Sequence, residues 1–340
     1  MNFYLIGIDY KSAPVEIREA IFKERKDISA YWANFSSQTV ILSTCNRFEI
    51  YLVSANQADI LKRINLFKSR FPQFSKYSYI KISRKEIFLH ALRLATGLES
   101  QLKGELQILG QLERWIAQDQ FPTNLKALWQ EAIALARDIR FESGFNNSEN
   151  NLAGLILEDL AKSSRIQGKI DIIVIGTGKI SQLFASTQHS RFNFSFVAHK
   201  NQIRARQLAK QAGGKYISFQ ELPQALENAQ VLISATTSPH FILRKEDIPS
   251  QIFKGDKSFL IYDLALPRDI DPEIGKIRNI VLYNLDDLSS IFQKHSNRIQ
   301  EQINRAEFLT LEAKNRFQEI ANEHDLKSRF TQLAFSLKAG

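Results

Sequence analysis

The chain contains one cysteine, and it stands in a polar run, Ser43-Thr44-Cys45-Asn46-Arg47. A thiol in such a turn faces solvent, and an adjacent guanidinium favours thiolate over thiol, which is what an acyl-capturing nucleophile needs. These residues leave the opposite reading equally open, because free cysteine packs as a small buried hydrophobe. A second feature is Gly176-Thr177-Gly178-Lys179-Ile180-Ser181. Its glycines permit a tight turn after a strand and let the backbone approach a pyrophosphate at a helix N-terminus. Ser181 takes the place of a third glycine and still allows fairly close helix packing. The bland alternative is a βα turn that binds nothing, but the strand–turn–helix context favours a dinucleotide. About 20 residues on, where an NAD site carries Asp or Glu, the chain reads Ala198-His199-Lys200, with Arg204 and Arg206 beyond. Positive charge at Lys200 suits a 2′-phosphate, so NADPH is the expected cofactor. The other reading of Lys200 is a solvated loop lysine.

His90 falls on an apolar helical pattern, where a histidine is more often a satisfied core residue than a catalyst. The six histidines are scattered and form no ligand pair of the HExxH kind, so no metal is expected. Ser100 to Gln111 reads SQLKGELQILGQ. This glycine-containing entry with Ser100, Glu105, Gln107 and Gln111 suits a pocket lining, or simply an ordinary helix start.

The elements that must carry these residues change character along the chain. Phe3 to Ile8, Thr39 to Leu42 and Phe48 to Val53 read as strands. The Cys45 run lies between the last two as a tight turn. Ile87, Phe88, Ala91, Leu92, Ala95 and Leu98 recur at helical spacing. A second helix carries Ile108, Leu109, Leu112, Trp115 and Ile116, and a third covers 124–141. From Lys169 onward, strands at 170–175, 192–198, 231–235, 259–264 and 280–285 alternate with helices. That order predicts a parallel, doubly wound sheet. From Leu288 the pattern becomes one long amphipathic helix, with Ile299, Ile303, Ala306, Leu309, Ala313, Phe317 and Ile320 as its stripe. The stripe must be buried against this chain or a copy of it. The expected organisation is an N-terminal α+β catalytic domain over 1–150, a Rossmann-type nucleotide-binding domain over 151–287, and a long helix over 288–340.

Bulk properties narrow the class. Hydrophobic residues make up 44% of 340, enough for two domains with their own cores. Lys and Arg exceed Asp and Glu by 45 to 36, a net charge of +9 that suits a polyanionic partner such as RNA. A single cysteine rules out an internal disulfide framework and a cysteine-rich metal site. The start, MNFYLIGIDYKSAP, lacks a signal-peptide core, and no run approaches the ~18 apolar residues that span a bilayer. A cytoplasmic protein without membrane contact is expected.

Together these segments resemble the glutamyl-tRNA reductases of tetrapyrrole and haem biosynthesis. Ser43 to Glu49 (STCNRFE) is similar to the family's signature around its catalytic cysteine. His90, with Ala95-Thr96-Gly97-Leu98-Glu99-Ser100, matches the next block. Gly104 to Gln111 (GELQILGQ) resembles "GEPQILGQ", and Asp263 to Pro272 (DLALPRDIDP) resembles "DLAVPRDIDP". Ala235-Thr236-Thr237-Ser238-Pro239 falls at the expected strand end. The matches run in order from Gly7 to about Phe317.

The resemblance implies a reaction and roles. Cys45 would attack the ester carbonyl of glutamyl-tRNA(Glu), release the tRNA and hold a thioester, which NADPH would reduce to glutamate-1-semialdehyde, the first step of the C5 route to 5-aminolevulinate. His90 would assist by acid–base or positioning work. Thr44, Asn46, Arg47, Ser100, Glu105, Leu106, Gln107 and Gln111 would line the glutamate pocket, with Arg47 on the substrate carboxylate. Gly176 to Ser181 and Lys200 would hold the cofactor. A homodimer is implied, V-shaped in the family, with glutamate-1-semialdehyde aminomutase as a candidate partner. The chain departs from the family in three places. Leu106 replaces a proline, Ser181 replaces a glycine, and the expected dimerisation region is shortened at Gly340. A non-catalytic relative that binds tRNA or a partner and regulates the pathway is the competing reading. A different NADP-linked dehydrogenase is a third, and it leaves the Cys45 block without a task.

Overall fold

The computed structural model describes residues 2–33, 38–146, 151–163, 168–187, 190–250, 252 and 258–315. The chain begins with an antiparallel sheet in the order β2-β3-β1-β4. Its strands are β1 (Asn2–Asp9), β2 (Thr39–Ser43), β3 (Arg47–Ser54) and β4 (Tyr79–Lys81). Alternate side chains of β1 enter two different cores. Phe3 and Leu5 join Tyr51, Val53 and the helices α4 (Arg84–Thr96), α5 (Gln107–Ile116) and α6 (Thr123–Ser143). Tyr4, Ile6 and Ile8 join Ile50, Leu52 and the helices α1 (Val15–Ala33), α2 (Gln57–Arg70) and α3 (Pro72–Tyr77). Helices on both faces of the sheet explain why β1 reads as a continuous apolar run rather than an alternating one.

The sequence pattern misses α1, and the reason is chemical. Two of its buried positions are Arg18 and Glu19, so its inward face does not read as apolar. α4 ends at Gly97, whose φ of 84° closes the helix in the left-handed region. The buried Arg140 of α6 then clamps the following loop, donating to the carbonyls of Thr96 at 2.9 Å and Gly104 at 3.0 Å. That clamp fixes the segment carrying Ser100 and Glu105.

After α7 (Leu152–Lys162), a six-stranded sheet follows in the order β10-β9-β8-β5-β6-β7. It comprises β5 (Ile170–Ile175), β6 (Phe192–Val197), β7 (Lys215–Ile217), β8 (Val231–Ser234), β9 (Phe259–Asp263) and β10 (Ile280–Tyr283), every pairing parallel. This is the doubly wound Rossmann order, with its switch point between β5 and β8. α8 (Lys179–Ser186) and α9 (Gln202–Gln211) are crossover helices.

The tail differs from a single long helix. A helix over Ser289–Arg298 stops at Ile299 and a second runs over 300–315. Leu288, Ile291 and Phe292 bury into the core of the parallel sheet. Ile299, Ile303, Ala306, Leu309 and Ala313 pack on the N-terminal core, so this part of the stripe is covered by the chain itself. Phe317, Ile320 and the expected dimerisation region lie outside the described residues. Among those described, no helix is long and apolar enough to cross a membrane.

Candidate functional site

Thr44, Cys45 and Asn46 form the tip of the β2–β3 hairpin. Ser43 pairs with Phe48 in the last register position, and Thr44 N–H donates to the Arg47 carbonyl at 2.9 Å. The tip is fastened from behind. Tyr10 N–H donates to the Asn46 carbonyl at 2.9 Å, and an Arg18 guanidinium nitrogen donates to the Cys45 carbonyl at 2.5 Å. The Cys45 side chain faces a cavity of about 720 Å³.

That cavity gathers Thr44, Cys45, Asn46, Arg47, Ser100, Glu105, Leu106, Gln107 and Gln111, every residue expected in a glutamate pocket. Its far wall is Gly178, Lys179 and Ile180 from the turn after β5, and Thr236 and Thr237 after β8. The cysteine and the mouth of the parallel sheet therefore share one cleft.

The electrostatics differ from the sequence expectation in one respect. The thiol is not held low by Arg47. Cleft walls shield it from bulk water and the Glu105 carboxylate lies nearby, so its pKa is pushed up to about 11 despite Arg18 and Arg47. Cys45 is exposed by surface area because it faces the cleft. The dense protein around it still opposes the thiolate. Burial likewise lifts the Glu105 carboxyl to about 7, against the pull of Arg47 and Arg140. Arg47 is not a lone cation. One terminal nitrogen donates to Glu49 at 2.8 Å and the other to the Glu99 carbonyl at 2.6 Å. A guanidinium has five N–H donors, so it can serve the cleft as well.

His90 does not line this cleft. It borders a separate cavity of about 530 Å³ with Asp9, Tyr79, Arg93 and Glu99. Its Nε2 sits 3.0 Å from Glu49, the carboxylate that also receives Arg47 and Tyr79.

A third cavity, of about 660 Å³, opens at the switch point, lined by Gly176, Thr177, Gly178, His199, Lys200 and the 235–239 segment. Gly176 has φ of 114°, and a Cβ there would lie 2.6 Å from the Ala235 carbonyl oxygen. The turn thus requires glycine, as a dinucleotide cradle does. Gly178 caps the N-terminus of α8. Lys200 is exposed in this cavity, and its described lining contains no carboxylate. Arg204 and Arg206 do not line it, and Arg206 stacks on Tyr216. Ser181 is fully buried on α8, lining neither cavity.

The Asp263–Pro272 block proves architectural. Buried Asp263 accepts the backbone N–H groups of Ala265 at 3.1 Å and Ile270 at 3.0 Å. Asp269 accepts the Ser234 hydroxyl at 2.6 Å and the Thr236 N–H at 2.9 Å, shaping the loop shared by both cavities. Arg268 reaches the other way, to Glu16 and Glu19 of α1. Among the described residues there is no cluster of three or more His, Cys, Asp or Glu that could hold a metal.

Sheet order, glycine turn and crevice define a nucleotide-binding protein of the Rossmann type, joined to an α+β unit that presents a cysteine to the same cleft. The model for the glutamyl-tRNA(Glu) reductase N-terminal domain matches residues 6–143, and that for shikimate/quinate 5-dehydrogenase matches 159–291. The glutamyl-tRNA reductase of Thermus thermophilus is 30% identical over 98% of this chain and 84% of its own length. That of Pelotomaculum thermopropionicum is 31% identical over 87% and 70%. The solved glutamyl-tRNA reductase of Methanopyrus kandleri overlaps 94% of this chain and 80% of its own at 25% identity, with a TM-score of 0.45. The chain belongs to the glutamyl-tRNA reductase family.

Proposed function

We propose that this chain reduces glutamyl-tRNA(Glu) to glutamate-1-semialdehyde through a thioester on Cys45, with NADPH as the reductant. The observation that carries this is the shared cleft: Cys45 on one wall, the α8 N-terminus and Thr236–Thr237 on the other. The Cys45 sulfur attacks the ester carbonyl carbon. The carbon–oxygen bond to the tRNA breaks, and the tRNA leaves as its alcohol with the thiol proton. Because the resting thiol is protonated, that proton must leave as the carbon–sulfur bond forms. Glu105, which lines the same cleft, takes it up. Arg47, fixed by Glu49, orients the substrate carboxylate, and Gln107 and Gln111 of α5 complete the pocket.

A nicotinamide held at the turn after β5 would supply a hydride to the thioester carbonyl. Cleavage of the carbon–sulfur bond would then release the aldehyde, with the Cys45 sulfur taking back a proton. Thioesters accept hydride more readily than esters because sulfur donates less to the carbonyl. The chain's own part is to hold the acyl carbon and exclude water, which would hydrolyse it. Gly176, Thr177 and Gly178 would hold the pyrophosphate and Lys200 the 2′-phosphate, which favours NADPH over NADH. His90 acts through Glu49 on Arg47 rather than on the reacting atoms. A homodimer and an aminomutase that receives the aldehyde complete the reading.

The test is NADPH oxidation with charged tRNA. Consumption matched by aldehyde release is expected, and none with folded protein and intact substrate would favour the regulatory alternative.

A further inference from the structure

Arg18 joins the two halves of the cleft. Its side chain is buried at 3% exposure. One guanidinium nitrogen donates to the Cys45 carbonyl at 2.5 Å, and Nε donates to the Ala13 carbonyl at 3.3 Å. The remaining nitrogen is ion-paired with Asp286, just beyond β10 on the parallel-sheet side. The other Asp286 oxygen accepts Val15 N–H, the first residue of α1, at 2.7 Å. Arg268 on Glu16 and Glu19 makes a second tie between α1 and the parallel sheet. Gln101 to the Leu285 carbonyl, at 2.6 Å, makes a third. Of the three, only Arg18 also grips the backbone of the cysteine itself.

The two chemical steps make different demands on this link. Capture of the acyl group uses Cys45, Thr44, Arg47, Glu105 and Gln107, all on the N-terminal unit. Hydride transfer needs the acyl carbon in register with a donor held by the other sheet, and small misplacements there are costly. We propose that Arg18 is a positioning residue whose bonds to the Cys45 carbonyl and to Asp286 hold the acyl-cysteine in register with the hydride donor, so that its loss slows reduction of the thioester more than its formation. The inference rests on the thioester reading above.

Arg18→Lys and Asp286→Asn in the full chain test it, the second keeping the Arg18–Cys45 bond and the shape of the partner. Each variant is first given glutamyl-tRNA carrying labelled glutamate without NADPH, and labelled protein is counted after acid quench. NADPH is then added and aldehyde formation followed over a single turnover. Labelling should stay within about twofold of the unsubstituted chain while reduction slows about tenfold or more. Equal loss in both steps, loss confined to labelling, or no change in either for folded Asp286→Asn overturns the proposal. If the unsubstituted chain takes up no label, the thioester reading falls and this inference with it. Labelling without selective loss in the variants overturns this inference alone.

Discussion

His90 Nε2 lies 3.0 Å from the Glu49 carboxylate, and the same Glu49 oxygen accepts an Arg47 N–H at 2.8 Å. The histidine thus stands one residue behind the cleft. His90→Ala should raise KM for glutamyl-tRNA several-fold by loosening Arg47 while leaving the shape of the pH–rate profile intact. Loss of a limb of that profile would mean that the imidazole itself moves the proton.

Glu49 should matter for stability more than its size suggests. Glu49→Gln leaves Arg47 buried without its counter-ion, a loss of about 3–5 kcal/mol. Burial raises the Glu49 pKa, but His90 and Arg47 outweigh burial and hold it well below the carboxylate range. Its contribution is therefore present above the unfolded value of 4.5 and lost as pH falls below it. Acid titration of Tm should be shallower in Glu49→Gln, and parallel curves would count against the hub.

Cys45 reactivity should climb with pH through the alkaline range, because its thiol sits at about 11. Glu105→Gln removes a nearby negative charge, so alkylation by iodoacetamide at pH 8 should speed up several-fold, even as turnover falls. A rate that is already flat below pH 8 would show a thiolate at rest.

The cofactor turn makes two predictions. Gly176→Ala forces a Cβ against the Ala235 carbonyl oxygen at a φ of 114°, and should cost about 1–3 kcal/mol along with nucleotide affinity. Lys200→Ala should lower the NADPH-to-NADH preference about tenfold, as expected for a lost phosphate contact. An unchanged preference would return Lys200 to the status of a solvated loop lysine.

At Leu106, where the resemblance leads one to expect proline, φ is −73° at the N-cap of α5. Proline fixes φ near −65°. Leu106→Pro should therefore be tolerated and raise stability by about 0.4–1 kcal/mol through the unfolded chain, readable as a small rise in Tm. A fall in Tm would mean that the leucine side chain is packed in a way its 36% exposure does not suggest.

Much of the frame was legible because it is local. The apolar runs of β1, β3 and β5, the Gly176 turn and the spacing of α4 to α6 follow from side-chain period and backbone freedom, which a sequence displays directly. α1 was not legible, because Arg18 and Glu19 occupy its inward face and take their partners from distant segments. The tail was legible as amphipathic, but its break at Ile299 follows from where each half docks.

From the sequence alone, Cys45 falls in a tight turn between two strands, Gly176 in a strand–turn–helix, and Ser100, Glu105, Gln107 and Gln111 on one short glycine-containing segment. Tertiary structure alone decided that His90 faces away from the cysteine, that Arg47 arrives already paired, and that Arg18 reaches Asp286 across 268 positions of chain. The reason is physical: period and turn chemistry set where a residue stands on its element, but the partner a charged group meets depends on packing between elements, which brings together groups with no sequence relation.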